Sequence, residues 1–549
     1  MLCASKASVR RGHGFHRDRP PRALALGERA FGASHPDLTP VLGGLATQSL
    51  AIRKYKEAEV SLTRALAINE KAFGADNPRN IGILYRLGEL YREQERFAEA
   101  EPLLKRALTL QEKHLGLHDA GLVPILNSLG LLYWSEGRYG EAEAFYRRGL
   151  SINEKVPVSG ALLESLNNHL AILTNVLGRY KEAESFYRNA LEAAEKSFGT
   201  DHSEVGRVLT NFAIFYWAQG LYSNAEPLLQ RALTIREKAL GPDHPDVAHT
   251  LNTLGLVYAF QGRYAEAEPL YKRAIAIDEK AFGPEHSNLV SRLSDLADLY
   301  RREQLYAEAE PLYKRALDIA KKLGPQHPLV AAVSNNLAWV YWAEGRYGDA
   351  EPLYRRAIAT TEQTLGSEHP NLLTQLHNIA ALYRVQGRFA DAEPVLLRAI
   401  ALGEKVAPKH PHLGKALDNL ALVYTAQHRH KEAETLFKRA IALAEEIFGP
   451  AHADVAAYAN DLGALYVQTG EWAKAVQSLG RGFLPRKTAF ANKLRPLAKG
   501  SPKFKASLLE TFPTTPPLRT PNLFLWMRSK PFFGPMRRLS CSSTRLNRS

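Results

Sequence analysis

Small and apolar residues recur along this chain with a period of 41 or 42 positions, and within each period they follow a helical spacing. In residues 245–286 the first apolar run falls at i, i+4, i+7 and i+11, as seen at Val247, Leu251, Leu254 and Tyr258. A break at Gly262 separates it from a second helical run, which Gly283-Pro284 ends. The pattern predicts two helices per period, joined as a hairpin whose apolar face a single hairpin cannot bury.

An alanine near the start of each predicted second helix marks the period, and we call it the anchor. Seven of the ten intervals between anchors are 42 residues and three are 41. Self-similarity at such a period predicts stacked supersecondary units. The eleven anchors are Ala58, Ala100, Ala142, Ala183, Ala225, Ala267, Ala309, Ala350, Ala392, Ala433 and Ala475.

Two further positions, each holding similar residues from repeat to repeat, predict how the hairpins pack. We call such a recurring position a column. The residue twelve positions before each anchor is glycine or alanine in all eleven repeats, which lets helix backbones approach closely. Nine positions before the anchor stands a tyrosine in nine repeats of eleven. Large rings beside small residues predict interlocking core packing rather than an active site.

These columns, with the segments L-N-T-L-G-L-V-Y and A-E-P-L-Y-K-R-A-I-A-I, closely resemble tetratricopeptide repeats of the kinesin-light-chain class. The usual tetratricopeptide period is about 34 residues, and the longer period here adds a linker such as L-G-P-D-H-P. The resemblance covers residues 23–482, and it implies an all-α, right-handed superhelical solenoid of helix hairpins. It also implies a non-catalytic protein–protein interaction scaffold that binds a peptide or partner surface in a concave groove.

The resemblance places ligand contacts on the first helices, 14–15 and 7–8 positions before the anchor. At the former position the chain repeats asparagine, a mediocre helix former whose amide could hold an extended peptide backbone or bond a neighbouring helix. Arginine and tryptophan, which are enriched in binding hot spots, recur near the latter, although tryptophans could instead fill gaps between repeats. The predicted groove residues are Asn127, Asn168, Asn211, Asn252, Asn335, Asn378, Asn419, Asn460, Arg92, Trp134, Trp217, Arg301, Trp339, Trp342 and Arg384. This mixture would suit a peptide with acidic and bulky apolar residues.

Eight linkers carry a histidine at the same place, which raises the question of a metal site. Consecutive members lie one repeat apart, whereas packed helices stand 8–10 Å apart and zinc–nitrogen bonds are about 2 Å, so neighbours cannot share an ion. We therefore expect turn residues that orient the next helix. The eight are His35, His202, His244, His286, His327, His369, His410 and His452.

Motifs for catalysis are missing from the sequence: it has no phosphate-binding loop, no H-E-x-x-H, no G-x-S-x-G and no zinc-spaced cysteines. The glutamates that follow many anchors recur with the repeat, and we interpret them as solvated helix starts. The sequence predicts no enzyme, no metal, no cofactor and no small-molecule substrate. The recurring glutamates are Glu59, Glu101, Glu226, Glu268, Glu310, Glu351 and Glu393.

The net charge of +14 belongs to the two ends of the chain. Residues 481–549 hold 15 basic residues and one acid, residues 1–22 hold six and one, and residues 23–480 carry −5. Residues 1–22 are interpreted as a basic irregular segment. Residues 483–549, basic and proline-rich, are interpreted either as a disordered tail that contacts nucleic acid or an anionic membrane, or as a non-native reading frame.

Two alternatives to a plain scaffold stay open. Bacterial proteins that resemble this array often continue into a catalytic domain such as a caspase-like peptidase, so the array could be the sensor arm of a larger effector. Nucleic-acid binding through the basic tail is less favoured. No apolar run approaches a membrane span, no secretory signal is recognised, and residues 23–480 lack cysteine, so a cytoplasmic location is expected.

Overall fold

The structure, a computed structural model, describes residues 19–482, with side chains described for residues 24–479. The predicted tail, residues 483–549, lies outside the described residues, as do residues 1–18 of the predicted N-terminal segment and both cysteines. The first described helix begins at Arg19, four residues before the predicted start of the array at position 23.

In residues 19–482 the structure contains helices and turns but no strand. Two short 3-10 helices, Pro36–Leu38 and Pro78–Asn80, precede α2 and α4. The α-helices are α1 Arg19–Phe31, α2 Thr39–Ala51, α3 Tyr55–Phe73, α4 Ile81–Glu93, α5 Phe97–Leu115, α6 Leu122–Ser135, α7 Tyr139–Lys155, α8 Gly160–Val176, α9 Tyr180–Phe198, α10 Ser203–Ala218, α11 Tyr222–Leu240, α12 Pro245–Phe260, α13 Tyr264–Phe282, α14 Asn288–Arg302, α15 Tyr306–Lys322, α16 Pro328–Ala343, α17 Tyr347–Leu365, α18 Asn371–Val385, α19 Phe389–Val406, α20 Pro411–Ala426, α21 His430–Phe448, α22 Ala453–Thr469 and α23 Trp472–Gly482.

The chain divides into two compact units, Met1–Gln261 and Gly262–Ser549. In the first unit the even-numbered helices α2 to α10 each pack against the helix that follows, and in the second unit α14 to α22 do the same. The even-numbered members are the first helices of the predicted hairpins, and each anchor lies in an odd-numbered helix. The predicted all-α array of helix hairpins is confirmed within each unit.

The small residue twelve before the anchor makes room for the side chain four after it. A Cβ added to Gly130 would stand 2.3 Å from Cε1 of Tyr146, and one added to Gly88 would stand 2.6 Å from Leu104. Tyr146 is 1% exposed. The interlocking packing is confirmed, but the large partner comes from the second helix and is not the tyrosine three residues further along the first helix.

That tyrosine column, nine before the anchor, instead joins consecutive hairpins. The ring of Tyr341 is buried, its hydroxyl donates to Glu310 at 3.0 Å, and Arg346 donates to the same carboxylate at 2.9 Å while lying 4.0 Å from the Tyr341 ring centre. We call a tyrosine hydroxyl bonded to the glutamate after the preceding anchor a tyrosine clamp. The clamps are Tyr91–Glu59, Tyr133–Glu101, Tyr216–Glu184, Tyr300–Glu268, Tyr341–Glu310, Tyr383–Glu351 and Tyr466–Glu434.

The interpretation of the recurring glutamates as solvated helix starts is therefore wrong for the clamped ones. Burial opposes ionisation of Glu310, but hydrogen bonds from Lys314, Arg346 and Tyr341 outweigh it and lower its pKa to about 2. The carboxylate binds the next hairpin, 31 residues further along the chain, so neither the helix dipole nor solvent explains its recurrence.

Each of the eight linker histidines accepts a hydrogen bond from the backbone N–H two residues later. In His244, for example, Nδ1 accepts from the N–H of Asp246 at 3.1 Å, which satisfies a donor that the helix itself cannot. The predicted turn role is confirmed for His35, His202, His244, His286, His327, His369, His410 and His452.

Prolines in the second helices lie deeper than the sequence pattern suggests. The pattern places Pro269 within about the first turn, where backbone N–H groups lack intrahelical partners. Because α13 begins at Tyr264, Pro269 is its sixth residue, and the bond to the carbonyl of residue 265 cannot form. Pro269 therefore lies beyond the first turn, in which the sequence pattern places it.

No helix in residues 19–482 is both long and apolar enough to traverse a lipid bilayer.

Candidate functional site

Within each compact unit the predicted groove asparagines lie on the first helices, and four of them bond to one another in two pairs. We call the pair formed by the residue 15 before one anchor and the residue 14 before the next anchor a rung. Asn211 donates from Nδ2 to Oδ1 of Asn168 at 3.1 Å, and Asn378 donates to Asn335 at 3.0 Å. The rungs therefore connect successive first helices, which is one of the two roles that the sequence left open.

Two rungs pair an asparagine with a histidine that the sequence analysis did not select. Nδ1–H of His169 donates to Oδ1 of Asn127 at 2.9 Å, whereas Nδ1 of His377 accepts from Asn419 at 3.1 Å. Burial, with smaller effects of nearby cations, lowers the pKa of His169 to about 4 and of His377 to about 3. Both imidazoles are therefore neutral at pH 7. Their position 14 or 15 before an anchor is the signal that could have identified them.

The two members of an amide rung differ in burial and in the hydrogen-bonding atoms that remain unused. Asn168 and Asn335 are buried and accept the rung bond. Asn211 and Asn378 are half-buried, and each donates one N–H to the rung while its Oδ1 accepts no bond from any described residue. These two amides can therefore accept from, and donate to, a ligand while the rung stays intact.

The structure brings two predicted groove residues together at the ends of α4 and α6. Arg92 and Trp134 line a cleft of about 580 Å³, together with Glu93, Glu95, Phe97 and Ser135. The guanidinium of Arg92 is held by Glu89, with Nε–Oε1 at 2.8 Å and Nη2–Oε2 at 3.1 Å. The indole of Trp134 is half-buried and leans on the Tyr139 ring, 5.2 Å between centres.

A second cluster joins α14 and α16. The Arg301 guanidinium carbon lies 4.6 Å from the Trp339 ring centre, and Trp339 lies 5.9 Å from Trp342. Arg301 also bonds Asp298 at 2.7 Å, and Tyr313 donates to the same carboxylate at 2.8 Å. All three predicted groove residues are half-buried, so each presents part of its surface to solvent.

The remaining predicted residues are not gathered into one place. Trp217 packs edge-on against Phe260 at 5.4 Å, and Arg384 donates from Nε to Asn419 at 2.9 Å. Asn252 is 5% exposed, and Asn460 is half-buried. In the part of the chain that the structure describes, no three histidine, cysteine, aspartate or glutamate side chains are arranged as metal ligands.

Several solved structures are similar to this chain, although their sequences differ widely from it. The apo form of RapI is 14% identical over 68% of this chain and 99% of that chain, with a TM-score of 0.50, a likeness of fold alone. BtubC from P. vanneervenii is 26% identical over 42% of this chain and 92% of that chain, with a TM-score of 0.38. Yeast Tom70 is 14% identical over 86% of this chain and 99% of that chain, with a TM-score of 0.41.

No curated protein matches the chain in sequence. The family model for the tetratricopeptide repeat, in contrast, matches it seven times, at residues 40–113, 79–155, 162–220, 204–280, 288–363, 342–405 and 412–482. These matches cover most of the described helices and agree with the observed hairpins. The resemblance drawn from the repeat columns is therefore confirmed, and the chain belongs to the tetratricopeptide repeat family.

Proposed function

We propose that this tetratricopeptide array is a non-catalytic scaffold whose first helices form a groove that captures an extended peptide or a partner surface. The observation that carries the proposal is the Arg301–Trp339–Trp342 cluster, in which a cation and two large rings are half-exposed on adjacent first helices. Arginine and tryptophan are the side chains most often found at the energetic centre of protein interfaces.

The half-buried amides add a second kind of contact. Asn211 and Asn378 each keep a free acceptor next to a fixed rung, and a peptide backbone offers one donor and one acceptor per residue. Because the rung already fixes the amide orientation, little side-chain entropy is lost when the ligand binds. We infer that amides read the backbone while tryptophan and arginine select acidic and bulky apolar side chains.

The proposal is tested with peptides selected from a random display library against the intact chain. We expect Trp217→Ala or Arg301→Ala to weaken the affinity for the selected peptides about ten-fold or more. This corresponds to a loss of roughly 1.4 kcal/mol of binding free energy, as expected when a residue at the energetic centre of an interface is removed. Arg355→Ala is the matched control, since Arg355 is an exposed second-helix arginine paired with Glu351. Unchanged binding in both first-helix variants, with the array still folded, would refute the groove.

The absence of cysteine between residues 23 and 480 is consistent with a reducing compartment, and we propose the cytoplasm as the location.

A further inference from the structure

The rung between α20 and α22 differs chemically from the amide rungs. Asp418 stands 15 positions before its anchor and Asp461 stands 14 before the next, so two carboxyls occupy the places that Asn335 and Asn378 fill elsewhere. Asp418 is only 9% exposed, and its Oδ1 is buried without a hydrogen-bond partner. Within residues 19–482 neither carboxyl has an ion pair or a hydrogen bond.

A tyrosine hydroxyl meets the same rung from an independent position. Tyr458 is 5% exposed, yet its hydroxyl makes no hydrogen bond with any described residue. A Cβ added to Gly414, one turn before Asp418 on α20, would stand 3.4 Å from that hydroxyl. Burial raises the pKa of Tyr458, and the charges of Asp418, Asp454 and Asp461 add to that increase. The tyrosine therefore adds an unpartnered polar group to the carboxyl pair.

No cation on the described neighbouring helices forms an ion pair with this rung. Burial raises the pKa of Asp461 to about 6, and burial together with repulsion from Asp461 raises the pKa of Asp418 well above its usual range. Arg384 on α18 opposes both pKa shifts. None of its nitrogens lies within 4 Å of a carboxyl oxygen of Asp418 or Asp461, and its Nε is bonded to Asn419. Asp454 on α22 adds further negative charge. Near neutral pH Asp461 therefore carries a negative charge with no cation of the described residues within 4 Å of it.

We propose that the Asp418–Asp461 rung, with the Tyr458 hydroxyl, binds the guanidinium of an arginine side chain supplied by a protein partner. A guanidinium carries five N–H donors in a plane and bonds carboxylates in a bidentate manner, whereas the rung presents acceptors and one hydroxyl. The described residues hold no set of three metal ligands, so an organic cation matches the site better than a metal ion. This inference rests on the proposed function, because the rung lies on the first helices that form the proposed groove.

Calorimetric titration of the intact chain with N-acetyl-arginine amide tests the site, and the isosteric but neutral citrulline amide is the control ligand. At pH 7.5 we expect the arginine compound to bind about ten-fold or more tightly than the citrulline compound. Because the cation must compete with the protons that the pair retains, we expect its affinity to fall at pH 5, with proton release on binding near pH 6. Equal affinities for the two compounds would overturn the proposal.

Variants of the rung complete the test. The double variant Asp418→Asn with Asp461→Asn reproduces the amide rung of Asn335 and Asn378, so it is expected to fold and to lose the preference for arginine. Asp461→Asn alone, at the half-buried member, and Tyr458→Phe are expected to weaken binding several-fold. Undiminished arginine binding in the folded double variant would refute the site. A refuted arginine site would leave the proposed function standing if Trp217→Ala or Arg301→Ala still weakened binding of the selected peptides.

Discussion

The tyrosine clamps and the rungs both join successive hairpins, but they use their positions differently. Seven described clamps repeat the same chemistry, a tyrosine hydroxyl bonded to a glutamate, as at Tyr341 and Glu310. The rungs differ in chemistry along the chain. Asn168–Asn211 is a pair of amides, His377–Asn419 pairs an imidazole with an amide, and Asp418–Asp461 is a pair of carboxyls. A position that carries the same pair in most repeats is explained by stacking alone. A position that changes while the stacking stays constant is free to serve recognition.

The largest effect is expected from a buried column, where every repeat needs a large side chain. Tyr146→Ala should lower the free energy of unfolding by about 3–5 kcal/mol, because it removes a buried ring and leaves a cavity beside Gly130. Urea unfolding followed by circular dichroism measures this loss. Tyr180→Ala, at a tyrosine that is 50% exposed, should stay within about 0.5 kcal/mol of the unmodified chain. Similar losses in both variants would contradict the assignment of the column to packing.

The carboxyl rung is expected to be destabilising at neutral pH, in contrast to the clamps. Folding raises the pKa of Asp461 to about 6 and that of Asp418 well above its usual range. The favourable contribution of protonated Asp461 is therefore present at low pH and is lost as the pH rises through about 6. Replacing both with asparagine should therefore raise the free energy of unfolding by about 2–3 kcal/mol at pH 7.5.

The same double variant should differ little from the unmodified chain at pH 4. Thermal unfolding at the two pH values measures the difference, and Asn335→Asp with Asn378→Asp is the matched reverse exchange. A double asparagine variant that is less stable than the unmodified chain at pH 7.5 would contradict the unpaired charge described at this rung.

The clamp carboxylate should show the opposite dependence on pH. The pKa of Glu310 is lowered to about 2 on folding, so its contribution is present above the usual glutamate pKa and is lost as the pH falls from about 4.5 towards 2. Glu310→Gln should cost about 1.5–3 kcal/mol at pH 7, the range for hydrogen bonds to charged groups.

Acid-induced unfolding of this variant, followed by circular dichroism, should converge with that of the unmodified chain near pH 2. Glu192→Gln is the control, because Glu192 is 64% exposed and its ion pair with Lys196 is screened by solvent and contributes little to stability. A Glu310→Gln variant as stable as the control variant would show that the clamp glutamates are solvated after all.

The sequence predicted the hairpins well because their signals are local. The alanine anchors and the glycine breaks lie within the element that they define, and the histidine caps act two residues away. The clamp at Glu310 was missed because its partner, Tyr341, becomes a neighbour only when hairpins stack. The recurrence of asparagine does not reveal the carboxyl rung, because Asp418 and Asp461 share with it only their positions in the repeat. Which half of each amide pair stays exposed, as at Asn211 and Asn378, depends on packing that no single repeat encodes.

The smallest effect is expected at the histidine caps. They test whether a position that recurs in the repeats requires one residue type. Each histidine supplies one acceptor to one backbone N–H, and the chain already replaces it by Asn77, whose Oδ1 accepts from Arg79 at 3.0 Å. His327→Ala should therefore cost about 1 kcal/mol, whereas His327→Asn should cost only a few tenths. Hydrogen exchange of the α16 backbone amides, compared between the two variants, measures the difference. Equal losses of protection in both would mean that the imidazole ring, and not its acceptor nitrogen, orients the helix.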